Sequence, residues 1–100
     1  MTVRKPLEKE IENYFVTRVT ALGGVAEKTV SPSGRGYFDR VAVLPGGRVI
    51  FAEIKKPKGS HTPRHQMLRH QKYRALGCEV VLIKDFAAVD SLLPDPAKQV

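Results

Sequence analysis

The stretch from Phe38 to Lys55 decides the fold, because it carries two strand patterns on either side of a turn: FDRVAVLPGGRVIFAEIK. Apolar, largely β-branched residues dominate both sides of Pro45-Gly46-Gly47, which is typical of two antiparallel strands joined by a hairpin. We therefore predict one strand from Phe38 to Leu44 and a second from Arg48 to Lys55.

The length of the turn determines which side chains of this hairpin meet. Side chains alternate along a strand, so Glu53 and Lys55 share one face. A three-residue loop with a left-handed glycine would pair Leu44 with Arg48 and set Asp39 across from Glu53, whereas a two-residue loop would put the two acids on opposite faces. We predict the three-residue loop, or a bulge with the same effect.

Two carboxylates and an amine at one end of a hairpin indicate metal-dependent chemistry on phosphodiesters. Carboxylates as close as Asp39 and Glu53 repel each other unless a cation joins them, and hard ions such as Mg²⁺ or Mn²⁺ prefer oxygen ligands. Such an ion polarises a phosphate oxygen and lowers the pKa of a bound water, and Lys55 would hold the scissile phosphate or assist that water. The alternative is that Glu53 and Lys55 are ordinary solvated residues at a hairpin edge.

The segments around the hairpin add helices and further strands. The predicted elements, in chain order, are a helix from about Pro6 to Leu22, a strand from Val25 to Val30, the two hairpin strands, a helix from about Arg64 to Leu76, a strand from Glu79 to Ile83, and a short helix capped by Asp85 and ending near Leu93. The continuous apolar run of Glu79–Ile83 favours a central position in the sheet. The order αβββαβ predicts an α/β fold, with a mixed sheet flanked by helices.

Length and composition limit the classes of protein to consider. The 100 residues fit a single domain, with a core over about 7–93 and a short polar tail. We expect a cytoplasmic protein of a bacterial or phage-infected cell, because the sequence has no apolar run long enough for a membrane span and its first residues are too polar for a signal peptide. A single cysteine, Cys78, excludes an internal disulfide, and His61, His65 and His70 do not match a familiar zinc spacing.

The charge balance indicates a polyanionic partner. The chain carries 17 Lys and Arg against 10 Asp and Glu, a net charge of +7. Basic and hydroxyl side chains bracket the proposed site on both sides in sequence, and we expect them to bind DNA phosphates without reading bases. The predicted DNA-binding residues are Lys28, Ser31, Ser33, Arg35, Arg40, Lys56, Lys58, His61 and Arg64.

Several motif pieces in this order resemble a known nuclease family. The pieces are Gly23-Gly-Val-Ala-Glu-Lys28, Ser31-Pro-Ser-Gly-Arg-Gly36, Phe38-Asp-Arg40, Leu44-Pro-Gly-Gly-Arg48, Glu53-Ile-Lys-Lys-Pro57 and Gln66. From about Glu8 to Asp85 the chain resembles a VRR-NUC domain of the PD-(D/E)XK nuclease superfamily, in the stand-alone form of phages and bacteria. One departure is Phe38, since the residue before the aspartate is usually proline in this family.

The resemblance implies a fold, a site and a substrate. The fold would be restriction-endonuclease-like, and the activity a Mg²⁺- or Mn²⁺-dependent endonuclease of a homodimer acting on branched DNA such as Holliday junctions. The implied metal ligands are Asp39, Glu53 and the backbone carbonyl of Ile54, with Lys55 next to the scissile phosphate and Gln66 and a glutamate of the first helix completing the catalytic set.

The identity of that helix glutamate is open among three residues. Glu8 and Glu12 lie on one flank of the apolar stripe and Glu10 on the other. We choose Glu12, with Glu8 second, because its place eleven residues before Gly23 resembles that of the helix glutamate in archaeal Holliday-junction resolvases of the same superfamily. Each glutamate could instead only stabilise the helix dipole.

Two other classes of function remain in contention at this point. The first is a non-catalytic DNA-binding module with a nuclease-like fold, although carboxylates at a phosphate-facing site would repel DNA. The second is a small basic protein-interaction domain, whose binding would be insensitive to salt, unlike phosphate contacts.

Overall fold

The computed structural model describes residues 5–29, 38–57, 59 and 61–95. Three helices and four strands follow the predicted order. They are α1 (Glu8–Ala21), β1 (Val25–Lys28), β2 (Arg40–Val43), β3 (Val49–Ile54), α2 (Arg64–Ala75), β4 (Glu79–Ile83) and α3 (Phe86–Leu92). The side chain of Asp85 caps α3 as predicted, accepting a hydrogen bond from the backbone N–H of Ala88 at 2.8 Å. No helix in these described residues is long and apolar enough to cross a membrane.

The four strands form one mixed sheet in the order β1-β2-β3-β4. The first two pairings are antiparallel and the pairing of β3 with β4 is parallel. This arrangement confirms the predicted α/β class, a mixed sheet with helices packed on it. The central position predicted for Glu79–Ile83 is wrong, because β4 is an edge strand of the described sheet. Its apolar run instead reflects cover on both faces, with Val80 and Ile83 both buried.

The hairpin has the predicted three-residue loop. Val43 pairs with Val49 in the ladder, and the N–H of Leu44 donates to the carbonyl of Arg48 at 2.8 Å. Gly46 and Gly47 have φ angles of 89° and 87°, a left-handed conformation that side chains other than glycine rarely adopt. The loop therefore fixes the register on which the site depends.

A bulge at the start of β2 modifies this register. Arg40 pairs with Ala52, and the N–H of Asp39 also donates to the Ala52 carbonyl at 3.0 Å. Two successive residues of β2 thus face one residue of β3, which interrupts strict alternation and re-aims the side chain before the ladder. As a result Phe38 packs on Phe51, on the same face as Glu53.

The two faces of the sheet have different functions in the fold. Ile11, Phe15 and Val19 of α1 are fully buried against one face. They form the apolar core with the inward residues of β2, β3, β4 and α3, namely Ala42, Leu44, Ile50, Ala52, Ile54, Ile83, Val89 and Leu93. Helix α2 covers the other face, where Tyr73 packs edge-on against Phe51 with ring centroids 5.4 Å apart. The acidic residues of the hairpin lie toward this second, more polar layer.

The connection from α1 to β1 requires a glycine. A Cβ built on Gly24 would lie 2.5 Å from the carbonyl oxygen of Val43, which no side chain could tolerate without a backbone shift. Gly24 thus lets β1 start close against β2 and fixes the distance between α1 and the hairpin.

Candidate active site

Asp39 is held at the point where β2 begins. Its carboxylate Oδ2 accepts a hydrogen bond from the backbone N–H of Ile54 at 2.7 Å. Together with the N–H of Asp39 bonded to Ala52, this fixes both the backbone and the side chain of the aspartate against β3. The cross-strand meeting predicted from the turn length is therefore present, with the carboxylate turned toward the C-terminal end of β3.

Glu53 is the one buried carboxylate of the described residues, with 5% of its surface exposed. Burial first, and then the negative charge of Asp39, raise the pKa of Glu53 to about 7, although Lys55 opposes them. A carboxyl group is held in this unfavourable environment only when the surrounding fold compensates for it. A pKa perturbed by both desolvation and a like charge is typical of functional sites.

Lys55 joins the carboxylates to helix α2. Its Nζ lies 3.4 Å from Oε1 of Glu53 and donates a hydrogen bond to Oε1 of Gln66 at 3.1 Å. Gln66 is in the first turn of α2, and its position above the end of β3 is set by the packing of that helix on the sheet. Four predicted site residues, Asp39, Glu53, Lys55 and Gln66, are thus brought together.

An aromatic layer beneath the site was not predicted from the sequence. Phe38, 3% exposed, stacks on the ring of His70 at 5.2 Å with an interplanar angle of 14°. It also contacts Phe51 and Tyr73 at 5.0 and 5.2 Å. The residue that stands where the family usually has proline therefore anchors the backbone before Asp39 by packing. The four rings of this layer lie on three separate segments of the chain, and no local pattern in the sequence indicates that they pack together.

His70 lies within this layer as a buried side chain. It is 2% exposed, and burial lowers its pKa, with the positive charges of Arg74 and Lys55 lowering it further. Within the described residues its Nε2 has no hydrogen-bond partner. These influences all disfavour a positive charge on His70, whose ring packs beneath the site.

Glu12 is paired with Arg40, on the opposite face of the sheet from the carboxylates of Asp39 and Glu53. Nε of Arg40 donates to its Oε2 at 2.8 Å, and Nζ of Lys9 lies 3.9 Å from its Oε1. Nη1 of Arg40 also donates to the carbonyl of Ala26 at 3.0 Å, so this guanidinium links α1, β1 and β2. Arg40 directly follows Asp39, and the described contacts connect Glu12 to the site through that residue.

Comparisons with known proteins agree with this geometry. No protein-family model matches the chain. A protein named "Putative nuclease p44", from Acyrthosiphon pisum secondary endosymbiont phage 1, is 41% identical over 87 residues, covering 87% of this chain and 91% of the phage protein. A solved structure described as "VRR_NUC domain" superposes with a TM-score of 0.77 at 32% identity, covering 85% of this chain and 91% of the other.

The chain belongs to the VRR-NUC family. Both similarities extend over more than four fifths of it, so they include the hairpin, α2 and the cluster of Asp39, Glu53 and Lys55.

The donor set of this VRR-NUC chain fits a hard divalent cation. Two carboxylates converge at the start of β2. The N–H of Ile54 donates to Asp39, and the N–H and C=O of one strand residue point toward the same neighbouring strand. The carbonyl of Ile54 therefore also faces Asp39. No group of three His, Cys, Asp or Glu side chains that could hold a metal occurs among the described residues. Mg²⁺ commonly uses one or two carboxylates and completes its coordination with water and phosphate oxygens.

The predicted DNA-binding residues that the structure describes lie on several different elements. Lys28 ends β1 opposite Arg40, Lys56 follows β3, and His61 and Arg64 lie at the start of α2; these four side chains are exposed. Arg40 already has two hydrogen-bond partners and is 14% exposed. Ser31, Ser33, Arg35 and Lys58 lie outside the described residues. DNA binding by this set stays a prediction.

Proposed function

We propose that this VRR-NUC protein is a metal-dependent endonuclease that hydrolyses phosphodiester bonds of DNA. The observation that carries the proposal is the pair of carboxylates at Asp39 and Glu53, one of them buried, beside the ammonium group of Lys55. A DNA-binding module without catalysis would gain nothing from two acids that repel each other and repel phosphate. The relative named as a phage nuclease supports the same reading.

The residues that would hold Mg²⁺ or Mn²⁺ are Asp39, Glu53 and the carbonyl of Ile54. When bound there, such an ion supplies Lewis acidity toward a phosphate oxygen and lowers the pKa of water. The raised pKa of Glu53 has a direct consequence for binding, since a cation that replaces its proton relieves the repulsion from Asp39.

The side chains around the acids position the substrate. Lys55, oriented by Gln66, would bind a non-bridging oxygen of the scissile phosphate and offset its negative charge. Water then forms a new P–O bond as the ester P–O bond breaks, and the proton from water ends on the leaving oxygen. We propose that Glu12 is the contribution of α1 and that it supports the site through stability, because its ion pair with Arg40 holds the start of β2 next to Asp39.

We further propose branched DNA, such as Holliday junctions, as the substrate of a homodimer. A small domain with few side chains left over for base readout has to select its target by DNA shape. Two copies related by a two-fold axis would present two sites for paired nicks.

The proposal is tested by cleavage of flaps, forks, four-way junctions and linear duplex with Mg²⁺, Mn²⁺ or EDTA. We expect cutting of branched DNA with either metal and none with EDTA. Asp39→Asn should abolish cutting and keep DNA binding. Asp85→Asn is the matched control, since asparagine also caps helices and Asp85 caps α3 away from the cluster. Cutting in EDTA, or full activity of Asp39→Asn, would overturn the assignment.

A further inference from the structure

A groove runs along one flank of α2, the helix that supplies Gln66. It has a volume of about 380 Å³ and is lined by His65, Leu68, Arg69, Lys72, Tyr73 and Leu76. These positions recur at the three- and four-residue spacing of one helix flank. The proposed nuclease site uses none of them, and none belongs to the apolar core.

The helix that forms this groove is strongly basic. Its sequence from Arg64 to Ala75, RHQMLRHQKYRA, has four Lys or Arg side chains, two histidines and no acid. Lys72 is exposed, and Arg69 is half-buried on the same flank. A cationic line of this kind is complementary to a run of phosphates and would repel a basic protein surface.

The apolar lining points to nucleic acid bases rather than to a duplex backbone. Leu68 and Leu76 are 51% and 72% exposed, and a surface that only neutralises phosphates gains nothing from them. The ring of Tyr73 borders the same groove and is held edge-on by Phe38 and Phe51. Cations beside a fixed aromatic ring and apolar patches are the features that grip unpaired strands, whose bases are free to stack.

The groove begins beside the candidate active site. His65 directly precedes Gln66, which binds Lys55, and Tyr73 contacts Phe38, which directly precedes Asp39. At 1.5 Å per residue the groove extends about 16 Å along the helix axis from His65 to Leu76, room for several nucleotides of an extended strand. A strand lying in it would lead directly to the scissile phosphate.

We propose that this flank of α2 binds a single-stranded segment of the DNA substrate next to the cleaved bond. The inference rests on the proposed nuclease function and adds a subsite beside it, which branched substrates with an unpaired arm would occupy and fully paired four-way junctions would leave empty.

The test measures the affinity of a fluorescein-labelled ten-nucleotide thymidine strand by anisotropy in EDTA. Leu68→Ser should weaken binding roughly fivefold by removing apolar base contact, and Lys72→Gln by a similar factor through a lost phosphate contact. Each has a matched control on α1 or at its start, across the sheet. Leu7→Ser alters a leucine that is 63% exposed, and Lys9→Gln a lysine whose side chain is 64% exposed. Both controls should bind the strand as the unmodified protein does.

Three results would overturn the inference. In the first, Leu68→Ser leaves strand affinity unchanged while Lys72→Gln weakens duplex and single strand equally, so that the flank binds backbone charge alone. In the second, Leu68→Ser changes the molar mass in light scattering but not strand affinity, so that a second copy covers the groove. In the third, the Leu7→Ser and Lys9→Gln controls lose as much affinity as the groove variants.

Cleavage separates this inference from the proposed function. Leu68→Ser leaves Asp39, Glu53 and Lys55 intact, so it should cut a fully paired four-way junction at the unmodified rate and slow only on flaps and forks, which have an unpaired arm. If the unmodified protein cuts nothing with Mg²⁺ or Mn²⁺, the nuclease proposal fails, while the strand-binding result stands by itself.

Discussion

Two clusters of charged side chains flank the start of β2, and they differ in how their charge is balanced. On the α1 side, Glu12 meets Arg40 at 2.8 Å, one anion with one cation. On the α2 side, Asp39 and Glu53 lie together with one ammonium group, that of Lys55, which is 3.4 Å from Glu53. Asp39 and Arg40 are adjacent in sequence, yet their side chains belong to clusters of opposite character.

The balanced pair on the α1 side is suited to stability, whereas the unbalanced acids on the α2 side are suited to chemistry. A nearly buried ion pair that is also tied to the carbonyl of Ala26 holds α1, β1 and β2 together, and removing one partner leaves the other desolvated. Two acids with one base leave a deficit of positive charge, which the proposed divalent cation would supply. Four predictions test this contrast between the two clusters.

The largest effect should come from Glu53→Gln. The variant loses a metal ligand, and we expect the cleavage rate to fall at least about 10³-fold, because metal ions stabilise the transition state by several kcal/mol. Single-turnover cleavage of a branched substrate measures it. Far-ultraviolet circular dichroism should show an intact fold, since the substitution removes a repulsion. A rate within threefold of the unmodified protein would mean that the two clusters do not differ in chemistry.

The second effect is stabilisation by metal. At 100 times its dissociation constant, an ion that binds only the folded state adds about 2.7 kcal/mol to the free energy of unfolding. For a domain of this size that corresponds to a rise in Tm on the order of 10 °C. Differential scanning fluorimetry with and without Mg²⁺ should show the rise, and Asp39→Asn should lose it. An equal rise in Asp39→Asn would place the ion elsewhere.

Glu12→Gln should act in the opposite way. Because this carboxylate is paired with Arg40 and 15% exposed, we expect a loss of stability of about 1–2 kcal/mol, roughly 5–10 °C in Tm, with cleavage within about threefold below the transition. Chemical denaturation and single-turnover cleavage give the two numbers. A hundredfold loss of activity at unchanged Tm would instead show that Glu12 acts on the reacting groups directly.

The fourth effect is a dependence of stability on pH in the metal-free protein. Folding raises the pKa of Glu53 to about 7, so the folded state binds more protons than the unfolded chain between the two pKa values. The stabilisation that Glu53 contributes is complete below about pH 4.5 and is lost as pH rises through 7. We expect Tm in EDTA to fall by at least about 5 °C over this window relative to Glu53→Gln. Parallel curves for the two proteins would contradict it.

The features of the fold and of the site that could be predicted from the sequence depend on local patterns. The Pro45-Gly46-Gly47 turn fixes its own length, and that length sets the register that brings Asp39 near Glu53, although the period of two gives no sign of the bulge at Asp39. The cap at Asp85 is equally local. Motif resemblance supplied Gln66, whose hydrogen bond to Lys55 is present in the structure.

The parts that could not be predicted depend on packing between distant segments. The apolar run of β4 reveals that both its faces are covered, but not that only β3 pairs with it in the described sheet. Phe38 finds His70 and Tyr73 across 32 and 35 positions, beyond the reach of any periodicity. The spacing that favours Glu12 as a site residue contains no information about its ion pair with Arg40.

The most direct test of a divalent metal site at Asp39 and Glu53 is a titration of the protein with Mn²⁺, in which electron paramagnetic resonance measures the free Mn²⁺. The convergence of Asp39 and Glu53 predicts one ion bound per chain, displaced by Mg²⁺, lost in Glu53→Gln and retained in Glu12→Gln and Asp85→Asn. Undiminished Mn²⁺ binding in Glu53→Gln, or none in the unmodified protein, would contradict it.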